Sequence, residues 1–371
     1  MLLWNLAKWL VSRGHEVHVI TQRIRGKKDS EVISGVDITR VGKAGRYTGE
    51  LTTSPGQSLA YLLQAIPLGF EIIRHSGVDI IHSNTYVPVF AGQICATMAR
   101  KKHVITIHDV YLAAIPGFWR RWSRQANVGL LARFFGPFLE RLVLGMPAIV
   151  HTVSDTSRRD LIEARAKGSK IVVVPNGIDL SEFTGNHVRI DNHQAIFIGR
   201  LVFYKHLETV FRALVHVVKV IPDAKLLVVG DGPMRAAWEK VVEELGIRHC
   251  VRFCGLVSHE RKLSLLKSSA FLVQPSTVEG FGIVVLEAFA CKKPVLASDI
   301  GALREIISNG TDGFLIDPTS EQEWARRMIR LFKARELTRK MGAAGRSKVS
   351  NYTIKEVGRG MEELYYAALK Y

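Results

Sequence analysis

Long apolar runs and cysteines are both scarce in this sequence. No apolar run reaches the roughly 18–20 residues that a membrane-spanning helix needs, and the 371 residues include four scattered cysteines. So few thiols argue against a disulfide framework and favour a reducing compartment. The first residues predict an amphipathic helix rather than a secretory signal, so we expect a cytoplasmic protein.

Patterns typical of metal sites are missing as well. Cys250 and Cys254 flank a predicted strand, but no second pair of Cys or His residues follows at zinc-binding spacing. The sequence also has no Asp-x-Asp pair that would hold a divalent ion. We therefore expect buried structural thiols, no metal and no bound cofactor.

Charge of one sign is in excess. Lys and Arg outnumber Asp and Glu by 51 to 34, which gives a formal net charge of +17. Such an excess suits nucleoside diphosphates, anionic lipid surfaces or nucleic acid. The basic residues are spread along the chain and match no recognised nucleic-acid motif, so we expect no nucleic-acid partner.

Short apolar runs alternate with helical stretches, which predicts an α/β fold with parallel sheets. The apolar run 171–174 ends a first series, and Pro175 with Asn176-Gly177 predicts a turn before a second series. We place a first domain at 1–174, a second at 175–351 and a final amphipathic helix at 352–371. The predicted strands are 17–20, 80–82, 104–107, 148–150 and 171–174, then 195–198, 225–229, 251–253, 270–273 and 294–297.

Two acidic residues, Glu279 and Glu287, flank the most informative turn of the chain. Between them, Gly280-Phe281-Gly282 predicts a glycine-rich turn that opens a helix. Free backbone N–H groups at a helix start suit a phosphate or sugar oxygen. The pattern thus places two acceptor side chains around one anion site, as a polyhydroxylated phosphate ligand requires. The apolar face of the helix is expected at Ile283, Leu286, Phe289 and Ala290.

With Pro275-Ser276 before it, this pattern resembles the nucleotide-sugar site of the retaining GT-B glycosyltransferases of family 4. The resemblance covers nearly the whole chain and is most specific over residues 171–318. It implies two Rossmann-like domains facing across a cleft, with the C-terminal helix crossing back to the first domain. It also implies hexosyl transfer from a nucleoside diphosphate sugar to a hydroxyl of a glycan or lipid-linked acceptor, with retention of configuration. The donor is expected mainly in the second domain and the acceptor in the first.

Cations that suit a diphosphate follow the first strand of the second domain. Gly199 lets the chain turn, Arg200 offers a planar fork, and Lys205 adds a mobile charge. Together they can clamp a diphosphate and stabilise the leaving group as charge develops, without a metal ion. The spacing resembles the family's Gly-Arg-Leu…Lys-Gly segment, with His206 in place of the last glycine.

The same resemblance assigns roles to the acidic pair and to one histidine. Glu287 is expected on the ribose, because a carboxylate accepts two hydrogen bonds from a vicinal diol, and Glu279 nearer the transferred sugar. Backbone N–H groups of Gly280–Gly282 are expected to face the sugar or phosphate. His108 ends a predicted strand, where ligands bind in α/β sheets, and is expected to face the donor sugar. The expected catalytic residues are Glu279, His108, Arg200 and Lys205.

The start of the chain departs from the family pattern. Family members begin with a strand and a Gly-Gly loop, whereas this chain opens with a segment, 2–10, that resembles their first helix. Either the start is assigned too late or the protein lacks the loop and part of its diphosphate and acceptor contacts. The second case leaves an inactive remnant as an alternative. Two more stay open: a nucleotide-sugar epimerase, which the same fold hosts, and a nucleic-acid or lipid-surface binding module, which the charge of +17 favours.

Residues 115–146 combine aromatic and basic side chains, and two interpretations remain open. The segment is either an interfacial helix with an aromatic loop on anionic lipid, or a core helix with a cationic surface turn. The first would place the protein peripherally on the inner face of the membrane. The residues concerned are Phe118, Trp119, Arg120, Arg121, Trp122 and Arg124, then Leu131, Phe134, Phe135, Phe138 and Leu142.

Overall fold

A computed structural model describes residues 2–45, 55–111, 117–125, 129–164, 171–185 and 188–370, with the backbone alone for 2, 45, 55, 122–125 and 129–135. The chain divides into two compact units. The first comprises Met1–Asn176 with Ile354–Tyr371, and the second is the continuous segment Gly177–Thr353. The chain therefore enters the second unit after Asn176 and returns to the first at Ile354.

Helices and strands alternate through both units. The helices are α1 (Leu2–Ser12), α2 (Pro55–Ser76), α3 (Tyr86–Ala99), α4 (Phe118–Gln125), α5 (Gly129–Leu144), α6 (Asp155–Glu163), α7 (Leu207–Val220), α8 (Arg235–Glu244), α9 (His259–Ser268), α10 (Ile283–Ala290), α11 (Gly301–Ile306), α12 (Glu321–Lys333), α13 (Arg335–Lys348) and α14 (Ile354–Lys370). The strands are β1 (His18–Ile24), β2 (Ser30–Ile33), β3 (Val36–Gly45), β4 (Ile80–Asn84), β5 (Lys102–Ile107), β6 (Ile149–Thr152), β7 (Ile171–Val173), β8 (Gln194–Ile198), β9 (Lys225–Val229), β10 (Val251–Gly255), β11 (Phe271–Gln274), β12 (Val295–Ser298) and β13 (Gly313–Ile316).

The first unit contains two separate sheets. In one, β3 lies between the parallel β1 and the antiparallel β2; in the other, β4, β5, β6 and β7 are parallel and follow in sequence order. Helix α1 contributes to the cores of both sheets: Ala7 shares an apolar cluster with Ile38 of β3, and Leu6 shares one with Val104 of β5. Within the described residues β1 and β4 each pair on one side only, and β1 stays half-buried until the exposed Ile24.

The second unit has one parallel sheet whose strand order reverses at its centre. The order is β10-β9-β8-β11-β12-β13, so successive strands run outward in opposite directions from the β8–β11 pair. In such doubly wound sheets ligands bind outside the carboxyl ends of the strands at the point of reversal. A continuous apolar core, which includes the fully buried Trp238 and Trp324, holds this sheet against α7, α8 and α12.

The predicted α/β class with parallel sheets is confirmed, and two local predictions need correction. The strands β2, β3 and β13 were not predicted, nor was the antiparallel pairing of β2 with β3. Helix α10 does not have one apolar face: every residue from Val284 to Ala290 is buried, and Glu287 is only 5% exposed. The reason is that α10 packs on β11 and β12 and also against α13 and the turn Val349–Tyr352.

Candidate functional site

The turn after β8 lies at the reversal point and is braced by the turn after β9. Gly199 donates its N–H to Val229 O at 3.0 Å, and Leu201 donates to Asp231 O at 2.9 Å. Gly230 has a φ of +129°, and a Cβ there would lie 1.9 Å from Gly199 O. Only glycine fits such an approach, so the Gly230 turn sets the position of the Gly199–Arg200 segment.

A second segment, after β11, meets the first through backbone contacts. Thr277 donates its N–H to Tyr204 O at 2.8 Å, where Tyr204 belongs to the short helical turn Phe203–Lys205. The Lys205 ammonium lies 5.5 Å from the centroid of the Tyr204 ring. Arg200 Nη2 donates to Tyr204 Oη at 3.1 Å. The predicted cations and the first predicted acid, Glu279, are thereby brought to one place.

Glu279 is the centre of a compact polar cluster. One of its oxygens, Oε1, accepts hydrogen bonds from Lys205 Nζ, from Gln274 Nε2 and from Ser276 Oγ, the last at 2.8 Å. The Lys205 and Glu279 side chains are 11% and 12% exposed, so the ion pair is largely shielded from water and from salt. Among the described residues, no group donates to the other carboxylate oxygen, Oε2.

Glu287 forms a second ion pair, with Lys262 of α9. Lys262 Nζ lies 2.6 Å from Glu287 Oε1, and the side chains are 17% and 6% exposed. A carboxylate so deeply buried needs a counter-charge, because desolvation of an unpaired ion is costly. The predicted ribose acceptor is therefore already paired, with one oxygen engaged by Lys262.

The turn between the two acids adopts the geometry of a helix start. Gly282 caps α10 in the left-handed region, with a φ of +92°, and a Cβ there would lie 2.8 Å from Leu303 Cδ2. The dihedral angle favours glycine at this position. Beyond it the first N–H groups of α10 have no partner within the helix, and the positive end of the helix dipole lies at this turn.

Comparison with known proteins identifies the family. Residues 1–182 match the model for Glycosyltransferase Family 4, and residues 184–348 match the model for Glycosyl transferases group 1. The chain belongs to the family 4 glycosyltransferases. The resemblance recognised in the sequence is thus confirmed, and the glycosyltransferase has the GT-B fold of its structural relatives.

Relatives match the glycosyltransferase along most of its length. An uncharacterized glycosyltransferase of Methanocaldococcus jannaschii is 29% identical over 85% of this chain and 80% of its own. The N-acetyl-alpha-D-glucosaminyl L-malate synthase of Bacillus anthracis is 26% identical over 99% of this chain and 93% of its own. Among solved structures, a sucrose-phosphate synthase from Thermosynechococcus elongatus superposes with a TM-score of 0.80 at 23% identity, over 98% of this chain and 92% of its own. Anabaena HepE in complex with UDP-glucose gives a TM-score of 0.71 at 19% identity, over 90% and 87%.

The remaining predicted residue of the glycosyltransferase, His108, lies in the first unit. Its Nε2 is 2.9 Å from Asn84 Oδ1, and its backbone carbonyl accepts from Ser157 Oγ at 3.3 Å. Burial lowers the pKa of His108, while the neighbouring Asp109 acts in the opposite direction. The imidazole is therefore neutral near pH 7, and one of its nitrogens is engaged by Asn84.

Sequence reasoning missed three side chains that complete the site: Lys262, Gln274 and Ser276. Gln274 carried a usable signal, because it is the one polar residue of the buried strand β11. Ser276 was seen as part of the Pro-Ser pattern, but its bond to Glu279 was not foreseen. Lys262 gave no signal, since a lysine on the partly exposed helix α9 is indistinguishable from a surface charge in sequence.

The aromatic and basic segment at 115–146 is described in part. Phe118 is 3% exposed and stacks on Tyr111 with ring centroids 4.3 Å apart, and Trp119 Nε1 donates to the buried Glu140 at 2.8 Å. Phe118 is thus a buried side chain and Trp119 a half-buried one, whereas Phe138 is 56% exposed. The side chains of Trp122, Arg124, Leu131, Phe134 and Phe135 lie outside the described residues.

Proposed function

We propose that this glycosyltransferase is a retaining hexosyltransferase that uses a nucleoside diphosphate sugar and a hydroxyl of a glycan or lipid-linked acceptor. The observation that carries the proposal is the pair of shielded ion pairs, Lys205–Glu279 and Lys262–Glu287, beside the carboxyl ends of β8 and β11. The carboxylates can accept from sugar hydroxyls, and the cations can meet a diphosphate. The UDP-glucose complex of Anabaena HepE, a protein of the same fold, supports such a donor.

The proposed reaction needs no nucleophile from the protein. The acceptor oxygen bonds to the anomeric carbon on the face that the diphosphate leaves, and the bond from that carbon to the phosphate oxygen breaks. The acceptor proton passes to the leaving phosphate. Arg200 and Lys205 stabilise the charge that develops there, while Glu287 holds the ribose and Glu279 faces the transferred sugar.

The names of two relatives extend the choice of acceptors to be tested. One is named an N-acetyl-alpha-D-glucosaminyl L-malate synthase, and another, from Corynebacterium jeikeium, a D-inositol 3-phosphate glycosyltransferase. Both names specify small, anionic, hydroxylated acceptors. An acceptor panel should therefore contain such compounds beside glycans and lipid-linked sugars, because the net charge of +17 favours all anionic members.

Titration calorimetry with UDP, GDP and ADP tests the donor site. We expect one nucleotide to bind the wild type and to bind Glu287→Ala at least about tenfold more weakly, since an ionised hydrogen-bond acceptor is removed. Glu336→Ala serves as the matched control, because that carboxylate pairs with Arg339 on the surface of α13. If no nucleotide binds, or if both variants bind equally, the proposed site is wrong.

We also propose peripheral contact with an anionic bilayer through the outer faces of α2, α3 and α5. Leu63 and Met98 are 66% and 71% exposed, on helices that pack against each other. Arg74, Arg100 and Arg141 lie exposed on or beside the same helices and form no ion pair among the described residues. Apolar side chains with unpaired cations around them are typical of interfacial surfaces. None of the described helices is long and apolar enough to span a bilayer.

Vesicle co-sedimentation tests this contact. Wild type should bind vesicles of phosphatidylcholine with phosphatidylglycerol, and Leu63→Ser with Met98→Ser should bind less. Val220→Ser, which removes an apolar side chain 47% exposed in the second unit, is the control. Equal binding to pure phosphatidylcholine, or an unchanged double variant, would contradict the assignment.

A further inference from the structure

Gln274 is a buried amide at the end of an otherwise apolar strand. It closes β11 after Phe271, Leu272 and Val273 and is 1% exposed. Its Nε2 donates to Glu279 Oε1 and to Ser276 Oγ, the latter at 3.1 Å. Its Oε1 is buried and accepts no hydrogen bond among the described residues. Among the described residues, the NH₂ group of this amide is therefore hydrogen-bonded and its carbonyl oxygen is not.

The orientation of this amide follows from Glu279. An ionised carboxylate only accepts hydrogen bonds, so the NH₂ group of Gln274 must face it. The opposite orientation would place Gln274 Oε1 against the carboxylate oxygen. Burying an unsatisfied carbonyl oxygen destabilises a protein, whereas an apolar side chain of equal length would not. Gln274 thus lowers stability locally, and the contact that it provides in return is the one to Glu279.

We propose that Gln274 is a positioning residue for Glu279. The inference rests on the proposed function, in which Glu279 faces the transferred sugar and Lys205 the diphosphate. When Lys205 turns toward a diphosphate, Glu279 Oε1 keeps two neutral donors, Gln274 Nε2 and Ser276 Oγ. These donors hold the carboxylate in place, so its free oxygen, Oε2, stays directed at a sugar hydroxyl. Gln274 acts on the sugar through Glu279 and has no contact with the nucleotide.

The variant Gln274→Met keeps the length of the side chain and removes both polar atoms. The probes are the pairs UDP and UDP-glucose, GDP and GDP-mannose, and ADP and ADP-glucose, of which the pair bound by wild type is used. We expect the Kd of the plain nucleotide to stay within about twofold. The ratio of the Kd of the plain nucleotide to the Kd of the nucleotide sugar should fall about tenfold, because a hydrogen bond to an ionised group is lost. The melting temperature should be equal or higher, since the unsatisfied Oε1 is gone.

Gln194→Met is the matched control. Gln194 begins β8 and donates to Ser268 Oγ and Ser269 Oγ at 3.3 and 3.1 Å. It lies at the amino end of its strand, whereas Gln274 lies at the carboxyl end of the neighbouring β11. Gln194→Met should leave the ratio of the nucleotide Kd to the nucleotide-sugar Kd unchanged. The inference is overturned if Gln274→Met weakens nucleotide and nucleotide sugar equally, if it lowers the melting temperature without a selective loss, or if nothing changes. If wild type binds none of the probes, the proposed function itself is wrong. If wild type binds one pair but Gln274→Met shows no selective loss, only the proposed role of Gln274 is wrong.

Discussion

Lys262 shows how a single residue can control the proposed ribose contact. Its ammonium is 2.6 Å from Glu287 Oε1, so it fixes one oxygen of the carboxylate and leaves the other for a ligand. Lys262→Met should weaken binding of the nucleoside diphosphate about tenfold, because an unpaired, buried carboxylate is displaced or neutralised. Calorimetry with the nucleotide and with its 2′,3′-dideoxy analogue measures this loss. The loss should be confined to the nucleotide that has ribose hydroxyls.

The matched control for this prediction is Lys267→Met. Lys267 lies on the same helix, but its Nζ donates to the carbonyl oxygens of Thr184 and Gly185. It should bind both nucleotides like wild type. Equal weakening of the nucleotide and its dideoxy analogue by Lys262→Met would show that Lys262 acts on another part of the ligand.

From the sequence, only those site residues could be predicted that belong to short patterns along the chain. Glu279, Glu287 and Lys205 were proposed from short patterns along the chain, and their roles stay predictions. The partners of these residues could not be proposed, because Lys262 and Glu287 are on different helices and meet only through the fold. Gln274 was included in no pattern, since its role depends on which way its amide faces.

At the scale of elements, two turns depend on the close approach of Gly230 to Gly199. Gly230→Ala should destabilise the second unit by about 3 kcal/mol or more, because the added Cβ would overlap a carbonyl oxygen and the dihedral angle is unfavourable. Gly246→Ala is the control: its φ is also positive, at +70°, but nothing lies within 4 Å of the added atom. It should lose about 1 kcal/mol. Urea unfolding monitored by Trp fluorescence compares them; equal losses would mean that the contact is relieved elsewhere.

A row of polar side chains crosses the sheet of the first unit and predicts acid sensitivity. Thr106 Oγ1 of β5 lies 2.6 Å from His82 Nε2 of β4 and 2.8 Å from His151 Nδ1 of β6. Burial, with the neighbouring histidines, lowers the pKa of His82 to about 3. Burial is also the main cause that lowers the pKa of His151 to about 4. Both imidazoles are neutral in the folded chain at pH 7 and at pH 5.

The direction of this pH effect on stability follows from the unfolded state, where the pKa of histidine is near 6.5. Between pH 6.5 and the folded pKa values the unfolded chain binds more protons, so the free energy of unfolding falls as pH falls. From pH 7 to pH 5 each histidine should cost about 2 kcal/mol. Hydrogen exchange, corrected for intrinsic rates, should show β4–β6 losing protection, while β8–β13, which contain no histidine, keep theirs. His151→Gln should reduce the loss; an equal loss in both units would contradict the explanation.

The elements themselves were predictable where burial is uniform. Strands such as β9 and β12 are apolar runs buried on both faces, and the sequence predicts each of them to within a residue or two. Strand β2 was not predicted because it is mostly exposed, so its composition resembles that of a loop. Strand β3 was also missed, although Val36 and Ile38 are buried. Helix α10 was predicted with one apolar face because its second contact surface, α13, is formed by residues far along the chain.

For the whole molecule, the two units differ in how the chain builds them. The first needs both the segment up to Asn176 and α14, whose Met361 and Leu364 pack with Leu6 and Val104. The second is one continuous segment with its own sheet and core. Each residue proposed to contact the nucleotide sugar, except His108, belongs to that continuous segment. Donor binding and folding of the second unit are therefore separable from the first unit in principle.

A fragment of residues 177–353 tests this separation. Because its size is that of an ordinary domain and its core cluster is internal, we expect it to melt cooperatively. Its fluorescence should shift to the red on unfolding, since Trp238 and Trp324 are both fully buried. It should bind the nucleoside diphosphate chosen by the full chain with a Kd within about tenfold, and the same fragment with Glu287→Ala should not. A fragment that folds but does not bind would place essential nucleotide contacts in the first unit, and one that fails to melt cooperatively would show that the two units fold as one.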